Sequence, residues 1–365
     1  MAGLFSIKRF SDLDLEDSFF DSLKKDYQGN QFSKGFTKWY TEKAKEGAKA
    51  IVYTDDEGIG AFIALKKEEE TIELRNLTLP KKKRLKIRTF SIAPRYRKQR
   101  IGEGAIGLVL WWWQKSDTEE IYFTAYDKQE TLISQFKKYG FSEIGTNSNG
   151  ELVLAKNRNG IKYSDPYEFF PFIHSGFDYA GYILIDDVYH DTVFPYSELA
   201  GVQQLGTLSG SMRNGISKIY VGQDWKRKYY IGEPVLVYRK YTKGSGKRYR
   251  SCITSYCVVN DIIQAKVNGR YLITFDELKT KIKNKSVFDE TELLRQYNNN
   301  KNVMVIELIY YGFFGSGNNV NLDWLDSNGL WIGRESYPTD IKLTEEQFKT
   351  ILTEGKVDVS NVIVH

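Results

Sequence analysis

In the first 156 residues the apolar pattern switches repeatedly between a period of two and a period of 3.6, and this alternation constrains the fold more than any other feature. "LFSIKRF" reads as a strand, and "LEDSFFDSLKKDY" and "FSKGFTKWYTEKAKEG" as amphipathic helices. "AKAIVYTD" and "GIGAFIALKK" are strands around the turn "DDEG". "TIELRNLTL" and "RLKIRTFSIAP" read as strands separated by the basic run "PKKKR". A glycine loop, a helix from Gly102 to Lys115, the strand "EIYFTAY", the helix "KQETLISQFKKYGF" and the strand "GELVLAK" complete the series. The order β-α-α-β-β-β-α-β-α-β predicts an α+β fold, a mixed sheet with helices packed on it.

With 365 residues the chain is too long for one ordinary core, so two domains are expected. "KNRNGIKYSDP" has no apolar period and is rich in turn formers. It predicts a first domain over 1–156, a linker over 157–178 and a second domain over 179–365. Beyond the linker the chain turns β-rich, with "AGYILI", "KIYVG", "EPVLVYRKY", "RSCITSYCVV" and "VMVIELIYY" as strands. That pattern suggests a small barrel or curled sheet.

The hydrophobic share is 41%, the net charge +5 and the aromatic share 15%, which describes a water-soluble globular chain with a mildly basic balance. Two cysteines, Cys252 and Cys257, suffice neither for a disulfide framework nor for a four-ligand metal site. Buried free thiols and a cytoplasmic setting are expected, with no metal and no membrane partner. "MAGLFSIKRFSDLDLED" places charges before any apolar stretch forms and does not read as a secretory signal. In "WWW", Trp111 to Trp113, successive helical residues point in three directions, which favours packing over a stacking platform.

Gly102 and Gly104 sit where a strand hands over to a helix, in "RKQRIGEGAIG". Two readings stand: a glycine-rich turn, or a place where an anion approaches bare backbone at a helix N-terminus. The order strand, Gln99-Arg100-Ile101-Gly102-Glu103-Gly104, helix resembles motif A of the GNAT N-acyltransferase superfamily. "ETLISQFKKYGF", closing in Gly140-Phe141, is similar to that family's motif B helix. The resemblance implies that the backbone of Gln99, Arg100, Ile101, Gly102, Glu103 and Gly104 holds the diphosphate of acetyl-CoA. Arg97, Lys98 and Arg100 would add charge, and Phe90, Ser91 and Ile92 would hydrogen-bond the pantetheine arm. It further implies attack of an amine on a thioester, which needs a base, an oxyanion donor and an acid.

The chain departs from the family at two places: Gln129 stands where relatives often carry Asn, and Phe136 stands where many members place a general-acid tyrosine. Tyr139 and Tyr126 are candidate substitutes, each also readable as a packing tyrosine. Glu73 is a candidate base acting through water, and also readable as an exposed strand carboxylate.

In the second half, "YIGEPVLVY" and "TSYCVV" resemble the PUA-like group that includes ASCH and EVE domains, small barrels that commonly bind RNA or modified bases. The stretch holds Lys226, Arg227, Lys228, Arg239, Lys240, Tyr241, Lys247, Arg248 and Arg250, with further tyrosines interleaved. Cations and rings in one stretch fit RNA or DNA binding, and fit equally a solvated basic hairpin. His174 and His190 lie among aspartates with no recognised metal-ligand spacing. Together these readings predict an acetyl-CoA-dependent N-acetyltransferase acting on a nucleic-acid or nucleic-acid-linked amine. The alternatives are a protein N-acetyltransferase and a catalytically weak CoA-sensing RNA- or DNA-binding module.

Overall fold

The computed structural model describes residues 4–29, 34–96, 98–194, 214–223, 227–331 and 340–364. The first unit comprises β1 (Leu4–Arg9), α1 (Asp21–Asp26), α2 (Gly35–Lys45), β2 (Lys49–Asp55), β3 (Gly58–Glu73) and β4 (Thr78–Ile92). It continues with α3 (Ile101–Gln114), β5 (Glu120–Ala125), α4 (Glu130–Lys138), β6 (Ser142–Thr146) and β7 (Leu152–Asn157). Its sheet has the order β1-β2-β3-β4-β5-β7-β6, antiparallel except for the β4–β5 step. The mixed α+β sheet expected from the sequence is present.

Two strand boundaries differ from the sequence reading. The run "PKKKR" lies inside β4, and the chain turns instead over Leu74 to Leu77. Pro80 is tolerated because the β3–β4 pairing is irregular there, its register shifting between Glu70 and Ile72. The last predicted strand is β7, and a further strand, β6, precedes it and pairs with it.

Helices α1 and α2 cover one face of this sheet through a cluster of Phe10, Phe20, Phe36, Tyr40 and Phe62. Helices α3 and α4 cover the other. Helix α3 is apolar nearly all round, the pattern of a helix buried on both sides. Its Ala105, Ile106, Val109 and Leu110 meet the first sheet's layer, while Trp111 turns to the second unit.

The second unit starts with α5 (Pro166–Phe169), β8 (Ile173–His174), β9 (Gly181–Asp186), α6 (Asp187–Val193), β10 (Ser217–Gly222) and β11 (Pro234–Lys240). Then come α7 (Lys247–Arg250), β12 (Cys252–Val267), β13 (Arg270–Tyr271), α8 (Phe275–Ile282), α9 (Glu290–Asn299) and β14 (Val303–Phe313). The chain ends with β15 (Val320–Asn321), α10 (Leu322–Ser327), α11 (Glu345–Glu354), α12 (Val359–Val362) and β16 (Ile363–Val364). The main sheet runs β10-β14-β12-β11-β9, with β11 and β9 parallel. It is curled, and β12 shifts register three times against β14, as a bending strand must.

The two sheets share one core. The Trp111 indole donates to the Tyr311 carbonyl at 2.7 Å, and its ring packs on Tyr310 and Phe313. Trp113 packs on Phe172, and only Trp112 faces solvent, so the three rings pack and form no platform. Within the segment 157–178, residues 157–165 are exposed or half-buried, but the stretch after them is packed. Tyr167, Phe169, Phe170, Phe172 and Ile173 are all buried against α3 and β14, because their apolar side chains fill the space between the two layers. Among the described residues no helix is long and apolar enough to cross a membrane.

Candidate active site

Strands β4 and β5 part past Ile87. Their parallel pairing runs from Arg84 opposite Glu120 to Ile87 opposite Phe123, yet β4 continues to Ile92 and β5 to Ala125. A bulge sets Arg88 outside the β3 register at the point of parting. From Thr89 onward the β5-facing edge of β4 therefore pairs with no strand among the described residues. A cavity of about 530 Å³ fills the split, lined by β4 from Lys86 to Ser91, by Phe123 and Thr124 of β5, by Gln129 at the N-cap of α4 and by Leu132 within it. Its far walls are Asp26, Tyr27, Trp39 and Glu151.

The polar groups in this space are fixed. Glu151 Oε2 accepts from Asn147 Nδ2 at 2.8 Å, and its own amide donates to Asn147 Oδ1 at 3.0 Å. Tyr27 is half-buried, and burial, then the charges of Glu151 and Asp26, push its phenol above the ordinary value, while a hydrogen bond from Gln129 pulls it back. The Tyr126 amide donates to Gln129 Oε1 at 3.1 Å, which fixes the start of α4 against the cavity. A phenol kept protonated and a carboxylate held by an amide are thus brought to one cavity.

Of the predicted site residues, Phe90 and Ser91 line the cavity, Ile92 follows on the same edge, and Tyr126 stands close to Tyr27. Glu73 does not line the cavity. It sits at the far end of the β3–β4 hairpin, opposite Thr78, whose hydroxyl donates to it at 2.6 Å. The hairpin end folds back toward β6, where Leu74 bridges Asn147. Tyr139 is also outside the cavity. It is fully buried between Tyr167 and Phe170, its hydroxyl makes no hydrogen bond, and burial holds its phenol far above the ordinary value. Phe136 packs on Phe90, Phe123 and Phe141 as core.

The glycine loop is partly committed to the second unit. Arg100, left-handed with φ 61°, turns its guanidinium inward to both Glu103 oxygens at 2.8 Å and to Ser217 O and Oγ at 2.7 and 2.6 Å. The Ser217 amide donates to Glu103 at 2.7 Å. Burial pushes the Glu103 carboxyl up, but the Arg100 charge and these hydrogen bonds outweigh it and hold the carboxyl below the usual value. Asn214 and Asn284 donate to the carbonyls of Gln99 and Lys98. A Cβ on Gly104 would run into the Asn214 carbonyl, whereas one on Gly102 would stand in open space.

The expectation for the loop is therefore corrected in part. The Arg100 and Glu103 side chains join the two units and are not free for a diphosphate, Ile101 is fully buried, and the bareness of Gly104 admits the protein's own backbone. Gln99 is exposed and Gly102 open, so one side of the α3 N-terminus stays accessible. Residue 97 lies outside the described residues. The groups present fit acetyl-CoA along Phe90–Ile92 and over Gln99 and Gly102, and do not fit a phosphate contact from Arg100.

The predicted nucleic-acid stretch is corrected too. Arg227 is buried on Glu233 and lies between the rings of Tyr179 and Tyr229. Arg239 is buried on Asp191 at 2.7 Å. Lys240 pairs with Asp186 at 3.2 Å, and Arg248 with Asp323 and Asp326. Arg250 and Tyr241 bond each other at 2.6 Å. Asp186, Asp191, Asp323 and Asp326 come from distant segments, so the local sequence could not show them, whereas Glu233 lies only six residues from Arg227. Lys228 and Lys247 are exposed, and Lys226 lies outside the described residues. His190 is buried and bonded on both nitrogens, to Asp191 at 2.9 Å and Thr254 at 2.7 Å, while His174 packs on Tyr163. Cys252 and Cys257 are free, buried thiols on β12.

No family model matches the chain, and no curated protein does. Solved structures align with its N-terminal part. A GNAT-family acetyltransferase from Bacillus cereus shares 13% identity over 42% of this chain and 98% of its own, with a TM-score of 0.29. The NatC complex bound to Gag peptide and CoA shares 13% over 43% of this chain and 99% of its own, TM-score 0.30. A domain from Methanocaldococcus jannaschii shares 13% over 42% and 99%, TM-score 0.32. Independently of these, the strand order, the parallel β4–β5 step and the helices on both faces make the first unit a GNAT-like mixed sheet.

Proposed function

We propose that the chain is an acetyl-CoA-dependent N-acetyltransferase whose chemistry takes place in the split between β4 and β5. The observation that carries this reading is the cavity itself, which gathers an unpaired strand edge, a fixed carboxylate and a protonated phenol. Acetyl-CoA, held along Phe90, Ser91 and Ile92 with Gln99 and Gly102 nearest its diphosphate, supplies a thioester carbonyl open to an amine. Glu151 takes the proton that an ammonium must lose before it can attack. Free amides on the unpaired edge of β4 donate to negative charge developing on oxygen. Tyr27 gives its proton to the departing sulfur, a role open to it because its phenol stays protonated. Gln129 orients Tyr27, and Tyr126 supports Gln129 through its amide.

Thiol release from acetyl-CoA with a panel of amines tests the reading. Glu151→Gln should lower kcat by about 10²–10⁴, whereas Glu73→Gln and Tyr139→Phe should leave it within twofold. Wild-type turnover by the Glu151 variant removes the assignment, and no thiol release with any acceptor removes the function.

The second unit is proposed as the recruiting, PUA-like unit. Its finer role, presenting a nucleic-acid-linked amine, rests on Lys228, Lys247, Arg250 and the exposed Tyr249. Labelled acetyl transfer into separate RNA, DNA and protein fractions tests that role.

A further inference from the structure

Strand β4 carries six cations between Lys81 and Arg88. Four of them are neutralised: Lys81 by Glu69, Lys82 by Glu119, Lys83 by Asp117 and Arg84 by Glu120. The remaining two, Lys86 and Arg88, are the two that line the cavity, and neither is in an ion pair among the described residues. Glu70 lies in their field but is bonded to Lys66 at 2.8 Å. Lys34, the other cation at the cavity, is bonded to Glu42.

Aromatic faces support both uncommitted cations. The Arg88 guanidinium lies 5.6 Å from the Trp39 ring centroid, and the Lys86 ammonium 5.3 Å from that of Tyr122. A ring face orients a cation without using up its hydrogen-bond donors. Across the cavity stands Glu151, next to β7 and so on the far side of β5 from β4. One wall therefore offers positive charge with free donors, and the opposite wall offers a carboxylate.

Resting on the acyl-transfer reading, we infer that the acceptor is an amine bearing an anionic group at its other end, a carboxylate or a phosphate. Lys86 and Arg88 hold the anion, and the amine is thereby delivered to Glu151. A guanidinium with its fork free suits either anion, and charge-assisted hydrogen bonds favour both over an uncharged terminus.

The test uses the full chain and four acceptors of equal length: an alkylamine, an ω-amino carboxylate, an aminoalkyl phosphate and a diamine. Thiol release gives kcat/KM for each, and a thermal melt without acetyl-CoA gives binding. The anionic amines should be preferred over the alkylamine by at least tenfold, the better of the two identifying the anion, and the diamine should be worst. Arg88→Gln should shrink that preference about tenfold, and Arg88→Glu should shift it toward the diamine. Equal rates for all four acceptors, or a preference that survives both variants while they melt like wild type, overturn the inference and leave acyl transfer standing. Thermal stabilisation by the anionic amines with no thiol release from any acceptor supports the binding site and sinks the enzymatic reading instead.

Discussion

Gly102 and Gly104 look equivalent in the sequence and are opposites in the structure. Gly102 opens on empty space in the first turn of α3, so Gly102→Ala should stabilise the protein by about 0.5–1 kcal/mol through helix propensity. Gly104 abuts the Asn214 carbonyl, so Gly104→Ala should cost about 1–3 kcal/mol by overpacking. Chemical denaturation of the two variants checks the opposed signs. Two losses of equal size would mean that something covers Gly102 as well. The site residues divide similarly. Phe90 and Ser91 were legible because a strand running into a glycine loop is a local pattern. Tyr27 and Glu151 were not, because they come from either end of the first unit and only the sheet order brings them together. The basic residues misled for the converse reason: Arg239 and Arg248 find their carboxylates on other elements.

Among the elements, the helices and strands of the first unit follow from period and turn chemistry, and the turn at Leu74–Leu77 was hidden by a louder signal at Pro80. The segment after β7 was misread for a physical reason. Most of its polar residues are exposed or half-buried, while its aromatic residues serve a layer the sequence does not announce. Lys156 shows how firmly that segment is tied. Its buried ammonium donates to the carbonyls of Tyr139, Glu168 and Phe170 at 2.7, 2.7 and 2.5 Å, joining the end of α4 to α5. Burial pushes its pKa down, to about 7, against the opposing charge of Glu168, and only the charged form has three N–H groups to give to the three carbonyls. Lys156→Met should cost about 2–4 kcal/mol in urea unfolding, since it strands three buried acceptors. A loss under 0.5 kcal/mol would show that water or other donors replace it.

At the scale of the whole molecule, the two sheets cannot be treated as separate modules, because α3 belongs to the core of both. Calorimetry of the full chain should show one cooperative transition, with calorimetric and van't Hoff enthalpies equal. A fragment ending at residue 160 should be aggregated in sedimentation, since it exposes Trp111 and Trp113 to water. Two resolved transitions, or a soluble and well-folded fragment, would restore the picture of independent domains. The sharing of α3 also has a consequence in time. The hydrogen bond from Trp111 to Tyr311 spans 200 residues, so α3 leaves the ribosome long before the strand that covers it exists. At about 5–20 residues per second the wait is roughly 10–40 s, during which the nascent chain shows an aromatic face with nothing of its own to put there. A newly made molecule thus depends on chaperones through most of its synthesis, and ribosome-bound chains stalled before β14 should be rich in them.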